Sequence, residues 1–182
     1  MRVFKIIVGG LVAITLLAVG IGLFLPKEYR VERSIEIDAP AEAVFAQVND
    51  LRNWAAWSPW LAADPTIKNT FSGPASGVGA KVVWTSENSG DGSQTITLSE
   101  PPSRIETRLD FGEMGQPGAD FTFVPEGEGT LVTWGLAGTA GSALGGYFAL
   151  IMDRLLGPQY EDGLQRLKTV VESKDAEAAA SP

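Results

Sequence analysis

The sequence predicts an α+β fold: an antiparallel sheet of six to seven strands, a long C-terminal helix and one N-terminal transmembrane helix. Three observations lead to this prediction. Between residues 30 and 136, short alternations of apolar and polar residues are separated by glycine- and proline-rich turns, which is typical of a meandering sheet. From about Ser142 to Ser173, apolar residues recur at steps of three and four, as on one face of a helix. Residues 6–25 carry no charge.

The uncharged run from Ile6 to Leu25 favours an uncleaved membrane anchor over residues 1–25. Twenty helical residues span about 30 Å, the thickness of a bilayer's hydrocarbon core. A cleavable signal peptide is the competing interpretation, with Ala18-Val19-Gly20 as its cleavage site, but its apolar region would normally be only about 7–15 residues long.

The location that follows is a single-pass membrane protein. Basic residues balance on the two sides of the run, so the positive-inside rule leaves the orientation open. The short amino tail is most simply left in the cytoplasm, which places the domain on the periplasmic or extracellular side. Gly9 with Ala13, and Ala18 with Gly22, are small residues four apart, which allows a weak homodimer through the anchor.

The globular domain is expected over residues 26–173 and begins with a half-buried strand from Arg30 to Ile37. Asp38 or the following turn is expected to cap a helix running from about Ala41 to Asn49.

A short helix then carries Trp54 and Trp57 on one face, because residues three apart are neighbours on a helix. Ser58-Pro59 ends this helix, since proline pushes the residue before it out of helical conformation. Trp60 leaves in a new direction, so the run could form a lid over an apolar space, although buried aromatic residues more commonly fill a core.

Six further strands are expected from Thr66 onward. The apolar residues that alternate in them, and should face one side of the sheet, are Val82, Trp84, Ile105, Leu109, Phe111, Phe121, Phe123, Trp134 and Leu136.

The predicted C-terminal helix is interrupted at Gly157-Pro158, which should kink or split it. Residues 174–182 form a tail of alanine, serine and acidic residues that has nothing to bury, and we expect it to be disordered.

The composition limits the catalytic groups, metal ligands and partners that the chain can use. The chain has no cysteine and no histidine, which excludes thiol nucleophiles, imidazole bases and the usual zinc sites. Acid–base chemistry would fall to Asp, Glu, Tyr or Lys, but no carboxylate pair stands out, and no cofactor, metal ligand set or catalytic residue is predicted. The formal net charge is −8, which argues against a nucleic-acid partner, because phosphate binding needs a basic surface.

Several motifs resemble the START-like superfamily, also called SRPBCC, and within it the polyketide cyclase/dehydrase and lipid-transport branch. The resemblance covers about residues 29–173 and leaves out the anchor and the tail. The segments that carry it are Ile35–Phe45, Trp57–Trp60, Phe71–Gly73 with Gly77–Gly79, Glu100–Pro102, Gly129–Trp134 and Gly163–Lys168.

The resemblance implies a helix-grip fold, in which a curved sheet wraps around the long C-terminal helix and leaves a cavity for an apolar ligand. The same residues would also serve an ordinary solid core. The candidate ligand-binding residues are Trp57, Trp60, Trp84, Phe111, Phe121, Phe123, Trp134, Tyr147, Phe148, Ile151 and Met152.

Three functions are compatible with this fold, since fold alone does not determine function. The leading hypothesis is a membrane-anchored binding domain for a hydrophobic small molecule or lipid. The second is a cyclase- or dehydratase-like enzyme, which would need a polar group such as Tyr147, Arg108 or Asp110 in the pocket. The third is a co-chaperone-like interaction module without a ligand, recognisable by a filled interior and an exposed apolar patch.

Overall fold

The computed structural model describes residues 2–142 and 144–180. A seven-stranded antiparallel sheet is covered on one face by the C-terminal helix and by the helices that follow β1. The elements are α1 (Arg2–Phe24), β1 (Glu28–Ile37), α2 (Ala41–Asn49), the 3₁₀ helix η1 (Asn53–Ala56), α3 (Pro59–Ala63), β2 (Lys68–Ser72), β3 (Lys81–Thr85), β4 (Gly92–Glu100), β5 (Arg104–Asp110), the 3₁₀ helix η2 (Gly112–Met114), β6 (Gly118–Glu126), β7 (Gly129–Thr139) and α4 (Gly145–Ala180).

The strand order is β1-β7-β6-β5-β4-β3-β2, so the first strand of the domain pairs with the last one. The ten-residue register of that pair runs from Glu28 opposite Thr139 to Ile37 opposite Thr130. The predicted meander and the helix-grip architecture are therefore confirmed.

Helix α4 lies across β1 and packs its buried face onto the sheet. The residues of that face are at most 7% exposed: Met152, Tyr160, Leu164, Leu167 and Val171. Their spacing of three, four and eight residues keeps them on one helix face.

Three local expectations need correction. The first tryptophan turn is a 3₁₀ helix that ends at Ala56, and Ser58 then caps the separate helix α3, with Pro59 in its first turn. Of the two caps considered for α2, Asp38 is not the N-cap; Pro40 of the following turn is, without a side-chain hydrogen bond. The C-terminal helix is not split, because α4 continues through Pro158.

Helix α1 is long and apolar enough over Ile6–Phe24 to cross a membrane, a property that a signal sequence shares. It leaves the domain as an exposed helix, and near its end the Tyr147 hydroxyl of α4 donates a 2.8 Å hydrogen bond to the carbonyl oxygen of Ala18. At the other terminus, α4 extends to Ala180. The disorder expected over 174–182 stays a prediction, and residues 181–182 lie outside the described residues.

Candidate functional site

The space between α4 and the sheet holds a cluster of aromatic rings. Trp134 of β7 stacks on Tyr160 of α4, with 4.0 Å between ring centroids and 9° between planes. Phe121 of β6 stacks on the other side of Trp134 at 5.0 Å. Trp54 and Trp57 close the cluster from η1, with their centroids 4.4 Å apart. These five residues, which we call the aromatic cluster, occupy the place where the sequence predicted a cavity.

Local sequence explains how the cluster assembles. Trp134 and Phe121 lie directly opposite each other in the β6–β7 register, and both point to the face that α4 covers. The turn of η1 folds Trp54 back over Trp57, and Trp54 Nε1 donates a 2.9 Å hydrogen bond to the carbonyl oxygen of Val48. That bond fixes the edge of the cluster to the end of α2.

Two indole N–H groups in the cluster have no acceptor among the described residues: Nε1 of Trp57 and Nε1 of Trp134. The two side chains are 0% and 2% exposed, and their rings are 5.7 Å apart. A buried donor without a partner costs about 1–3 kcal/mol, and folded proteins leave few such groups. The interior therefore contains two adjacent donors that could bind a ligand oxygen or a water molecule.

Trp60 of α3 forms the outer boundary of the aromatic cluster. Its ring meets Trp134 edge to face at 5.6 Å and Tyr160 at 6.0 Å. Its Nε1 donates a 2.6 Å hydrogen bond to Oε1 of Gln159. We call this contact the Trp60–Gln159 latch, because it joins α3 to α4 directly above the cluster.

An open groove of about 270 Å³ lies outside the latch, between α3 and α4. Its walls are Pro59, Trp60 and Ala63 on one side and Pro158, Gln159 and Asp162 on the other. The Trp60 ring lines this groove and also contacts Trp134 and Tyr160 of the aromatic cluster. The lid role that the sequence suggested for Trp60 stays a prediction.

A second hollow, of about 570 Å³, lies at the end of the sheet where β1 begins and β7 ends. It is lined by Glu28, Tyr29, Arg30 and residues 137–139. This hollow is wide open and flanked by charged side chains. It suits an apolar ligand less well than the groove beside Trp60, although it is larger.

The remaining predicted sheet residues divide between two places. Phe123 is buried and meets Phe45 of α2 edge to face at 5.6 Å. Trp84 and Phe111 pair with each other at 5.8 Å away from Trp134 of β7. Trp84 lies in β3, four strands from β7 in the strand order, and Phe111 directly follows β5, two strands from β7.

The predicted helix wall needs correction. Met152 is buried at 7% exposure, but Phe148 and Ile151 are 49% and 45% exposed and do not face the aromatic cluster. Tyr147 is half-buried against α1 through its bond to Ala18. The first turns of α4 are apolar on nearly every side, so helical periodicity alone could not identify the inner face.

Tyr160 and Gln159 belong to the site but were not predicted as site residues. Tyr160 was visible as part of the apolar periodicity of the helix, and burial raises the pKa of its hydroxyl. Gln159 carried no signal, because only the tertiary placement of α3 brings Trp60 to it.

The polar groups considered for catalysis lie elsewhere. Asp110 accepts hydrogen bonds from the Gly112 amide and from Gln116 in the loop after β5. Arg108 is exposed on the outer face of β5. Asp153 is held by Arg33 at 2.8 Å. One buried polar pair, Gln94 Nε2 donating to Thr107 Oγ1 at 3.0 Å, lies on the covered face of the sheet.

Comparison with known proteins gives a family match. Residues 28–172 match the family described as polyketide cyclase/dehydrase and lipid transport. No curated protein matches the chain.

Solved structures share the fold at low sequence identity. Protein CV1439 from Chromobacterium violaceum is 19% identical, covering 80% of this chain and 97% of that one, with a TM-score of 0.57. The di-domain aromatase/cyclase StfQ of the steffimycin biosynthetic pathway is 10% identical over 82% of this chain and 52% of its own, with a TM-score of 0.62. A point mutant of norcoclaurine synthase from Thalictrum flavum, bound to a transition-state analogue, is 15% identical over 81% and 96% of the two chains, with a TM-score of 0.58.

Proposed function

This chain belongs to the polyketide cyclase/dehydrase and lipid transport family, and from that membership we propose that it is a membrane-anchored domain that binds a hydrophobic small molecule or lipid. The ligand displaces the Trp60–Gln159 latch and inserts between α4 and the sheet. Residues 1–25 hold this binding site at the bilayer, where a poorly soluble ligand is concentrated.

The observation that carries the proposal is the pair of unpartnered indole donors at Trp57 and Trp134. An apolar molecule with a carbonyl, ester or phenolic oxygen satisfies both requirements of this site. Its apolar part packs against the aromatic faces, and its oxygen accepts the hydrogen bond that a buried indole otherwise lacks.

Entry beside Trp60 is supported by the shortness of α3 and by its single side-chain hydrogen bond to α4 among the described residues. Helix α3 has only five residues, and its side-chain hydrogen bond to α4 is the one to Gln159. Opening the latch connects the groove to the aromatic cluster without moving a strand.

The matched variants Trp54→Phe, Trp57→Phe and Trp134→Phe test this function. All three remove the same indole ring system, but only Trp54 already has an acceptor, the carbonyl oxygen of Val48. We would titrate the full chain in phosphatidylcholine nanodiscs with oleic acid and with a hydroxylated anthraquinone, using empty nanodiscs as the blank. We expect at least one ligand to bind, and Trp57→Phe or Trp134→Phe to weaken it about 3- to 10-fold, the value of one hydrogen bond.

Trp54→Phe should leave that affinity unchanged within about twofold, since its N–H is already engaged in the free protein. Equal losses in all three variants would mean that ring volume, not the free donors, determines binding. No binding of either probe by the wild-type chain would contradict the proposed function.

One observation also favours an interaction module. The interior is filled by the aromatic cluster, and an apolar surface on α4 is exposed. An interaction module would bind its partner through that surface.

A further inference from the structure

Helix α4 exposes an apolar face close to its beginning. Leu144, directly before α4, and Phe148, Ile151 and Leu155 within it follow one another at steps of four, three and four, and each is between 45% and 52% exposed. This spacing aligns them along one side of the helix. We call them the apolar stripe; Leu150, at 62% exposure, flanks it.

The stripe is continuous with α1. The Tyr147 hydroxyl binds the carbonyl oxygen of Ala18, and Gly146 packs so closely on Leu25 that a Cβ at position 146 would lie 3.2 Å from the Leu25 Cα atom. The last two turns of α1 therefore lie against the first turn of α4. The small residue Ala18, which the sequence offered as part of a dimer contact, meets α4 of its own chain.

This contact sets how deep the start of α4 lies relative to the bilayer. Residues 18–25 cover about 12 Å of helix at 1.5 Å per residue. If α1 spans the bilayer, α4 begins at the edge of the hydrocarbon core, level with Leu25, and the Tyr147 side chain reaches into the core as far as Ala18. A segment at that depth must be free of unpaired charge.

The sequence of the segment satisfies that requirement. No charged residue occurs between Gly129 and Met152, and the first two that follow are Asp153 and Arg154. Asp153 is paired with Arg33 at 2.8 Å, and Arg154 is an exposed cation, a type of residue that reaches from the membrane interface to headgroup phosphates.

We propose that the apolar stripe inserts into the acyl-chain region of the bilayer beside α1, so that the chain contacts the membrane through two elements. The proposal rests on the anchoring role proposed for α1. The bilayer is favoured as the occupant because α1, whose exposed apolar residues include Leu17, Ile21 and Phe24, adjoins the first turn of α4, where the stripe begins.

The insertion fixes the orientation of the domain. The end of the sheet where β1 begins and β7 ends lies at the headgroup level with its charged side chains, and the C-terminal part of α4 points away from the bilayer.

Fluorescence quenching by lipid tests this proposal directly. The chain has no cysteine, so single substitutions can be labelled with an environment-sensitive fluorophore without altering other positions. Full-length Phe148→Cys and Leu155→Cys report on the stripe, Ile14→Cys reports on the anchor, and Gln165→Cys is an exposed control farther along α4. Each labelled protein is reconstituted in phosphatidylcholine vesicles with and without acyl chains brominated at a shallow position or near the chain end.

We expect both stripe labels to be quenched by the shallow bromines, Ile14 to be quenched by bromines deeper in the bilayer, and Gln165 not to be quenched. Quenching at Ile14 without quenching at either stripe position would overturn the insertion and leave the anchor intact. Absence of quenching at all positions would contradict the anchor itself. Stripe labels whose emission shifts to the blue without quenching would show a protein partner or a second copy on the stripe, which also overturns the proposal.

Discussion

Gly157 of α4 lies against the guanidinium group of Arg33 in β1, so closely that a Cβ at position 157 would be 2.8 Å from the Arg33 Cζ atom. The same guanidinium binds Asp153 at 2.8 Å and Glu161 at 2.7 Å, one helical turn before and one after Gly157. The glycine thus explains how a helix can lie directly on an arginine of the sheet. It is a point of close approach between α4 and β1.

We predict that Gly157→Ala has two opposing effects on the free energy of unfolding. Alanine favours the helix by about 1 kcal/mol, but its methyl group displaces Arg33 from two exposed ion pairs worth about 0.2–1 kcal/mol each. The single variant should therefore stay within about 1 kcal/mol of wild type. In an Arg33→Ala background, the same change should stabilise the protein by about 1 kcal/mol. Urea unfolding of the four proteins measures this coupling, and identical effects in both backgrounds would contradict it.

Pro158→Ala should stabilise the domain, because Pro158 lies inside α4, where proline costs up to about 3 kcal/mol relative to alanine. Pro158 also lines the groove beside Trp60. If a bend at this position keeps the groove open, ligand uptake by the variant should slow. Higher stability with unchanged uptake would mean that the proline has no part in entry.

Trp134→Ala should destabilise the domain by about 3–5 kcal/mol, the usual cost of truncating a buried aromatic residue. Trp60→Ala should cost less, about 1–2 kcal/mol, because Trp60 is only half-buried and loses one hydrogen bond and edge contacts. Thermal or urea unfolding compares them. Equal losses would place Trp60 in the core and remove the basis for the latch.

Gln159→Ala should open the latch without disturbing the aromatic cluster. Gln159 is exposed, and the variant removes the side-chain Oε1 that accepts the hydrogen bond of Trp60 Nε1. We expect a probe ligand that the wild type binds to associate faster with this variant in stopped-flow measurements. The free energy of unfolding should stay within about 0.5 kcal/mol of wild type. Gln165→Ala, on the exposed side of the same helix, is the control. Association rates that do not differ between the two variants would argue against entry at this point.

Protonation at low pH should weaken the hydrogen bonds that the Asp64 carboxylate accepts. This buried carboxylate accepts hydrogen bonds at 2.6 Å from Ser86, Ser89 and Thr66, which join the end of α3 to the loop after β3. The hydroxyl donors hold the pKa of Asp64 well below its usual range. A lowered pKa contributes stability above the unfolded pKa of about 3.9, and this contribution is lost as the pH falls further toward the folded value.

Asp64→Asn should therefore have a lower melting temperature than wild type at pH 7. The difference should shrink between about pH 4 and pH 2, because wild type loses a contribution there that the variant lacks. Glu87→Gln, an exposed change in the same loop, should leave the pH profile unchanged. A constant difference between Asp64→Asn and wild type across this range would contradict the assignment.

The strands, their meandering order and the long C-terminal helix followed from local patterns in the sequence, whereas the helix-grip arrangement was implied by the family resemblance. The alternation of Val132, Trp134 and Leu136 predicted both the strand and its buried face, because successive side chains in a strand point to opposite faces. Those residues are at most 5% exposed.

The candidate site was only partly predictable. Phe148 and Ile151 looked like an inner wall because the first turns of α4 have two apolar faces, and periodicity cannot tell which one meets the sheet. Whether the interior is hollow depends on how Trp54, Trp57 and Tyr160 pack together. Their hydrophobicity is visible in the sequence, but the volume left between them is not.

The connection between α1 and the sheet limits how far the domain can travel. Only Leu25, Pro26 and Lys27 separate α1 from β1, a length of about 10 Å when fully extended, and the Lys27 carbonyl oxygen is already bound by the Ala140 amide at 2.9 Å. A domain on so short a tether cannot carry cargo between two membranes. Any molecule that an anchored copy of this chain takes up must be passed on within one molecular diameter of the bilayer that holds it.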